Sequence, residues 1–457
     1  MNYPKLTPAF CAANEIIADR YSGKSIYFGL CNESDEILKK RVSKAFSGFN
    51  CIFEKIESDV FKLKLSQLFS EEQPGYQSAQ VTEREDRESI IDRVADDAPA
   101  VNLLNSIFLE AISRRASDIH IEGGPDETAI RYRIDGLLHT LKTISEERAL
   151  AISARLKILA NLNVLENRRP QDGHIDVKTD SFSLDVRISI IPTIWGESIV
   201  LRLLNRSDYL LSLNSLGFSN EHFGHLQKIL NTSSGLILVS GPTGSGKTTS
   251  LAAILNELDI SGTKIISIED PVEYRISGIT QIQVHEELGL SFDALLRRIF
   301  RQDPDIIMIG EIRDIETAEL AIRAALTGHL VFATIHTNNA IEALYRLQNM
   351  GIPAYMVAAV LRMVIAQRLI RKICNECKSS GCNHCSQTGF LGRTVIAEFV
   401  PMDIVLSDLI STGATAEQIR THLQKTNFKT LFDDAEEKVK SGITTETEIK
   451  RELGGRL

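Results

Sequence analysis

The sequence predicts an α/β protein, and three observations predict it. Four continuous apolar runs, GLILVS, KIISIED, DIIMIGE and HLVFATIH, are separated by longer helical stretches. Parallel strands buried on both faces beneath covering helices read this way. A glycine-rich loop, GPTGSGKTT, joins the first run to a helix. Upstream, shorter strand-like runs (SDIHIE, TAIRYRIDG, FSLDVRISIIP and SIVLRLL) follow a helical stretch, VNLLNSIFLEAISRR, and mark a separate domain.

A chain of 457 residues is too long for one hydrophobic core, so several domains are expected. Residues 1–70 alternate short apolar runs with polar helical stretches and read as a small mixed α/β domain. Residues 71–98 are polar, mostly acidic and without an apolar period, and read as a linker. Residues 99–215 form the middle domain, and residues 216–457 carry the parallel-sheet pattern.

The net charge of −9 argues against a broad nucleic-acid-binding face, which would have to be basic. No stretch approaches the roughly 18 apolar residues that span a bilayer. The N-terminus has acids early and no clean apolar core, unlike a signal peptide. The expectation is a cytoplasmic chain that reaches a membrane only through partners.

The loop Gly241-Pro242-Thr243-Gly244-Ser245-Gly246-Lys247-Thr248-Thr249 fits G-x-x-x-x-G-K-[ST] without gaps, between a buried strand and a helix. Glycines let the backbone curl so that N–H groups face phosphate oxygens, and the helix adds its positive end. Lys247 is placed to reach the β- and γ-phosphates, and the Thr248 hydroxyl to ligate Mg²⁺. ATP is favoured over GTP because no N-K-x-D guanine signature follows.

Hydrolysis of a nucleotide also needs an acid on the Mg²⁺ side and a group to orient water. Two apolar runs end in acids: Glu269, Asp270 and Glu273 after the second, Glu311 and Asp314 after the third. Carboxyl ends of parallel strands are where ligands collect. Glu311 is the candidate for the Mg²⁺ side and Glu273 for the water; helix capping or pairing with arginine are the competing roles. His329 and His336 flank one strand, roughly 20 Å apart at 3.3 Å per residue. Only His336, at the carboxyl end, is placed to sense a phosphate, and His329 suits packing or a subunit contact.

Arg187 and Arg202 each sit within a strand-like run with no acid beside them in sequence, and Arg297 and Arg301 lie four apart in LLRRIFRQDPD, expected on one helix face. A guanidinium keeps its charge, so each needs an anion, either a phosphate or a structural carboxylate. Cys374, Cys377, Cys382 and Cys385 form C-x₂-C-x₄-C-x₂-C. Four thiolates close a tetrahedral structural zinc site, and a segment so poor in core residues needs metal to fold. Redox pairs are the rival reading.

Taken in order, SDIHIE, RYRIDG, RPQDGHI, GPTGSGKTTS, IEDPVEY, LRRIFRQDPDIIMIGEIRD, TGHLVFATIHTNNA, CNECKSSGCNHC and GFLGRTVIAEF resemble the type II secretion and type IV pilus assembly ATPases from about residue 97 onward. The resemblance implies a RecA-like ATPase domain joined to a PAS-like middle domain, assembled as a hexameric ring that hydrolyses ATP between subunits. It places the family's nucleotide-reaching arginines on Arg187, Arg202, Arg297 and Arg301, its catalytic glutamate on Glu273 and its Walker B glutamate on Glu311. Its histidine box falls on His329 and His336, and its zinc ligands on the four cysteines.

The cysteine cluster and the N-terminal domain resemble the assembly and secretion branch. Partners so implied are the cytoplasmic domain of an inner-membrane platform protein and a cytoplasmic docking protein, with the ring peripheral on the inner membrane. His174 departs from the family pattern by replacing arginine in Q-D-G-R. Asn339 replaces a commonly acidic residue, and the loop between the cysteine pairs is short. A motor for DNA uptake or conjugation and a non-catalytic nucleotide-gated scaffold are the alternative functions.

Overall fold

The computed structural model describes residues 16–22, 25–30, 36–46, 48–56, 98–178, 183–205, 212–426 and 428–454. The chain divides into two compact units, Met1–Glu85 and Asp86–Leu457. The expected linker, residues 71–98, falls outside the described residues except for its last position.

In the first unit, β1 (Ile16–Ser22), β2 (Ser25–Leu30), α1 (Glu36–Ala45) and β3 (Asn50–Lys55) form a three-stranded sheet with one helix. β1 runs antiparallel to β2, and β3 returns parallel to it after the helical crossover. Ile26, Phe28 and Leu30 are buried against Leu38, Val42 and Phe46 of the helix side.

The second unit opens with α2 (Ala98–Ser113), β4 (Ala116–Gly123), β5 (Thr128–Ile134), β6 (Leu137–Ile144), α3 (Glu146–Leu159), β7 (Gln171–Lys178), β8 (Ser183–Thr193) and β9 (Gly196–Asn205). The strands form an antiparallel sheet in the order β6-β5-β4-β9-β8-β7. Alternation decides its faces. Ile119, Ile121, Tyr132, Val186, Ile188 and Leu201 pack on Ile107, Ile152 and Leu156 of the two helices. The intervening residues, including Asp118, His174, Arg187 and Arg202, therefore stand on the opposite face.

The second sheet contains β10 (Gly235–Ser240), β11 (Ile265–Glu269), β12 (Thr280–Gln283), β13 (Ile306–Ile309), β14 (Leu330–Ile335), β15 (Leu361–Ile373) and β16 (Phe390–Pro401). Its order is β12-β11-β13-β14-β10-β15-β16, parallel except for β16. Leu236 and Leu238 pack on the side of α6 (Phe292–Ile299), α7 (Ile315–Leu326) and α8 (Ala340–Asn349). Ile237 and Val239 pack on the side of α4 (Asn220–Leu230) and α5 (Lys247–Asn256). Burial on both faces explains why these strands are apolar without alternation.

After α9 (Ala354–Val360) and the β15–β16 pair come α10 (Ile404–Ser411), α11 (Ala416–Lys425), α12 (Leu431–Lys440) and α13 (Glu446–Leu453). β15 and β16 lie outside the four runs that the sequence marks as strands. The two sheets are tied where the backbone N–H of Gly392 donates to Asp135 Oδ2 at 3.0 Å.

Candidate active site

Strand β10 delivers the phosphate loop to the carboxyl edge of the parallel sheet. Gly241 has φ +148° and Gly246, capping α5, has φ +86°. A Cβ on Gly241 would stand 2.4 Å from the Gln367 carbonyl and 2.5 Å from Ser245 Oγ, so only glycine fits this close approach. Gln367, on the neighbouring strand β15, braces the loop by donating from Nε2 to the Ser245 carbonyl at 2.8 Å.

Lys247 Nζ donates to the Gly241 and Pro242 carbonyls at 2.7 and 3.1 Å, folding back on the loop. Burial lowers its pKa to about 8, while the nearby Glu311 carboxylate works in the opposite direction. The ammonium thus sits in a dehydrated place with two neutral acceptors, which a phosphate would outcompete.

A cleft of about 650 Å³ opens over the loop. It brings together Thr243, Gly244, Ser245, Gly246, Lys247, Thr248 and Thr249 with Glu269, Asp270, Glu273, Glu311, Arg313, His336, Arg202 and Arg393. Gly241 and Pro242 stand at its base through their bonds to Lys247.

Glu273 follows β11 and lines the same cleft as Thr248. Burial pushes its pKa up against the pull of Arg187, Thr248 and Arg202, while Glu269 pushes it further up. A carboxylate raised in this way and placed beside the loop threonine is a competent proton acceptor for water. Glu269 is occupied differently: it accepts from Ser267 Oγ at 2.6 Å and from Gln281 Nε2 at 2.9 Å, which makes it a structural brace.

On the other wall, His336 Nε2 lies 3.0 Å from Glu311 Oε1, Arg313 Nε donates to Glu311 Oε2 at 2.9 Å, and Arg313 lies 3.6 Å from Asp270. His336 is held below its ordinary pKa by burial and by the Lys247 charge, against the pull of Glu311. The neutral imidazole can relay a change at Glu311. His329 stands at the other end of β14. Its Nδ1 lies 2.9 Å from the Ala324 carbonyl and its ring packs on Phe300, away from the cleft.

Arg187 and Arg202 occupy directly opposed positions on β8 and β9, with Asp118 opposite Arg202 on β4 and His174 opposite Arg187 on β7. Two cations facing each other across strands repel unless an anion lies between or beside them. Arg202 has a structural carboxylate, one of the two anions its sequence context allowed: its Nε donates to Asp118 Oδ1 at 3.1 Å. Both arginines bear on Glu273 within one chain. They line a second opening of about 1220 Å³ that shares Arg202, Asp270, Glu273 and Arg393 with the first.

Arg297 and Arg301 are not brought to the cleft. Helix α6 ends at Ile299 and Arg301 falls in a 3₁₀ turn, Phe300–Gln302, so the two do not share one continuous α-helical face. Arg297 pairs instead with Asp293 at 3.7 Å.

Three contributors escaped sequence reasoning. Arg313 was visible beside Glu311 but carried no spacing signal. Gln367 and Arg393 depend on β15 and β16 joining the sheet, which no motif announces.

A separate cluster is formed by the four cysteines. Cys374 and Cys382 sulfurs lie 3.9 Å apart, Cys377 and Cys385 3.7 Å, and Cys382 and Cys385 3.7 Å. Bonds of about 2.3 Å to a tetrahedral zinc require sulfurs about 3.8 Å apart, so the cluster fits that ion. The backbone N–H groups of Cys382 and Gly389 donate to Cys385 Sγ at 3.3 and 3.2 Å, as a thiolate ligand requires.

The family model described as type II/IV secretion system protein matches residues 93–451. The type IV pilus assembly ATPase PilB of Myxococcus xanthus is 37% identical across 97% of this chain and 85% of its own length. The type II secretion system ATPase E of Vibrio cholerae is 40% identical across 78% of this chain and 76% of its own. Among solved structures, the pilus retraction motor PilT with bound ADP aligns with a TM-score of 0.54 at 28% identity, covering 76% of this chain and 95% of that one.

Proposed function

Because the chain belongs to the type II/IV secretion system protein family, we propose that it is a motor hydrolysing ATP to drive assembly of a type IV pilus or a type II secretion pseudopilus. In this reading the parallel sheet is RecA-like and the antiparallel sheet PAS-like. Backbone N–H groups from Gly241 to Thr249 and the Lys247 ammonium hold the β- and γ-phosphates. Thr248, with Glu311 behind it, would hold Mg²⁺, which would supply charge neutralisation at those oxygens.

Glu273 orients a water for in-line attack and takes its proton. Arg187 and Arg202 stabilise charge on the γ-phosphoryl oxygens from the middle domain. His336, bonded to Glu311, registers loss of the γ-phosphate. Arg297 and Arg301 reach the nucleotide of an adjacent copy in a hexameric ring. Zn²⁺ on Cys374, Cys377, Cys382 and Cys385 is structural, since four thiolates leave no open position. The partners are the cytoplasmic domain of an inner-membrane platform protein and a docking protein at residues 1–70, which makes the ring peripheral on that membrane.

The observation that carries the reading is a single cleft in which Glu273, Glu311, His336 and Arg202 line the phosphate loop. Steady-state ATP turnover of wild type, Glu273→Gln and Lys247→Ala tests it. Glu273→Gln is expected to lose about 10²–10³ in kcat with ATP binding retained, and Lys247→Ala to lose binding. Turnover by Glu273→Gln within about twofold of wild type would remove Glu273 from the mechanism.

A further inference from the structure

The loop that follows β14, residues 336–339, begins with His336 in the nucleotide cleft and ends at α8. Two side chains from the paired strands β15 and β16 hold it, and both also hold the C-terminal helices. Glu398, 4% exposed, accepts from the backbone N–H of Ala340 at 2.6 Å and from that of Leu431 at 3.1 Å. These are the first residues of α8 and α12. One buried carboxylate therefore caps two helix N-termini, whose positive ends compensate its charge.

Arg368 does the same from the adjacent strand. Its Nη2 donates to Asn338 Oδ1 at 3.3 Å, and its Nη1 donates to the carbonyl of Glu452, in α13, at 3.3 Å. β15 and β16 are in register here, with Ala366 opposite Glu398 and Arg368 opposite Ile396. The residue before Arg368 is Gln367, which braces the phosphate loop. The α12 helix is itself fixed to β16, since the Ala397 N–H donates to Asp434 Oδ2 at 2.9 Å and Lys438 pairs with Asp434 at 3.0 Å.

We propose that Glu398 and Arg368 are positioning residues that couple the state of the His336 loop to the C-terminal helices α12 and α13. The inference deepens the ATPase reading and rests on it for the identity of the ligand. A shift at His336 on phosphate release moves the start of α8, and the two clamps transmit that shift to residues 431–453. Capping both helices through one carboxylate leaves neither free to move alone, which is what a two-state link requires.

The test is amide hydrogen exchange of the full chain, free and with saturating ADP or a non-hydrolysable ATP analogue, alongside steady-state turnover. In wild type, the two nucleotides should change exchange at residues 431–453 differently, by about 5- to 150-fold, the usual span of a coupling between sites. Glu398→Ala and Arg368→Gln should each abolish that difference while protection of the phosphate loop by nucleotide persists. Glu398→Gln, which keeps one acceptor, should restore part of it.

Turnover in the same variants should show kcat down about tenfold or more with KM for ATP nearly unchanged, as for a misplacement outside the binding contacts. Glu398→Ala uncaps two helix starts and so bears on folding; Arg368→Gln, cutting the second clamp independently, is therefore read with circular dichroism as the control. An identical exchange response at 431–453 in wild type and Arg368→Gln overturns the coupling, as does its absence in wild type. A wild-type chain that shows the nucleotide response but no turnover supports the coupling and overturns the hydrolysis reading instead.

Discussion

Glu273 shows how burial and charge compete at one carboxyl group. Dehydration raises its pKa, and Arg187, the Thr248 hydroxyl and Arg202 pull it down without cancelling the rise. It accepts a proton only when ionised, so kcat/KM should climb with pH through a value above the ordinary carboxylate range. Arg187→Ala removes the largest of the lowering influences and should move that acid limb to still higher pH. Glu273→Gln should abolish the limb; a profile with the same limb in Glu273→Gln assigns it to another group. Lys247 makes the opposite prediction on the alkaline side. Its pKa of about 8, set by burial, means the free chain loses the ammonium as pH passes that value. ATP affinity should weaken above about pH 8, and binding near that pH should take up a proton, detectable by calorimetry in buffers of differing ionisation enthalpy. Both residues were legible in the sequence because loop and strand-end motifs fix their neighbours locally. Arg393 was not legible, because its place beside Glu273 is set by tertiary pairing of β16.

At the scale of elements, the four apolar runs were legible as buried parallel strands because no charged residue interrupts them. β15 was not: LRMVIAQRLIRKI carries Gln367, Arg368 and Arg371 among its apolar residues, each satisfied by a distant partner, besides an exposed Arg362 that bonds the nearby Ala359 carbonyl. The helix carrying Arg297 ended earlier than spacing implied, since Phe300–Gln302 tightens into a 3₁₀ turn. The β15–β16 hairpin is closed by the cysteine module, whose folding would depend on a bound ion more than on a core. A chelator should raise the reactivity of all four thiols and release residues 374–389, while far-ultraviolet circular dichroism of the sheets persists. Unaltered thiol reactivity on chelation would contradict a structural metal. Helix α13 is pinned by Glu448: burial raises its pKa, but Arg451 and Arg371 outweigh that and hold it at about 2. Its contribution to stability is fully present above the ordinary glutamate value of 4.5 and fades as pH falls toward about 2. Protease sensitivity of the C-terminus should therefore rise across that interval, and Glu448→Gln should show it already at neutral pH.

For the whole molecule, the second unit gathers the phosphate-loop motif, Glu273, Glu311, His336 and Arg202 around one cleft in one chain. The middle-domain sheet turns its charged face, with Arg187 opposite Arg202, toward Glu273, and the Asp135–Gly392 bond ties the two sheets together. Arg297 and Arg301 stand outside the cleft, and in a ring they would act on a neighbour. Arg297→Ala should then leave nucleotide binding by a dilute, unassembled chain unchanged while lowering turnover in the assembled form. In the proposed reading, action across a subunit boundary belongs to this second pair. The most direct test mixes two impaired chains, Glu273→Gln and Arg187→Ala, and follows ATP turnover with mass measured by light scattering. A site built within one chain is broken in every subunit of the mixture, so turnover should stay at the level of the separate variants even when mixed rings form. Recovery of a substantial fraction of wild-type turnover on mixing would mean that Arg187 of one copy serves Glu273 of another, contradicting the single-chain site.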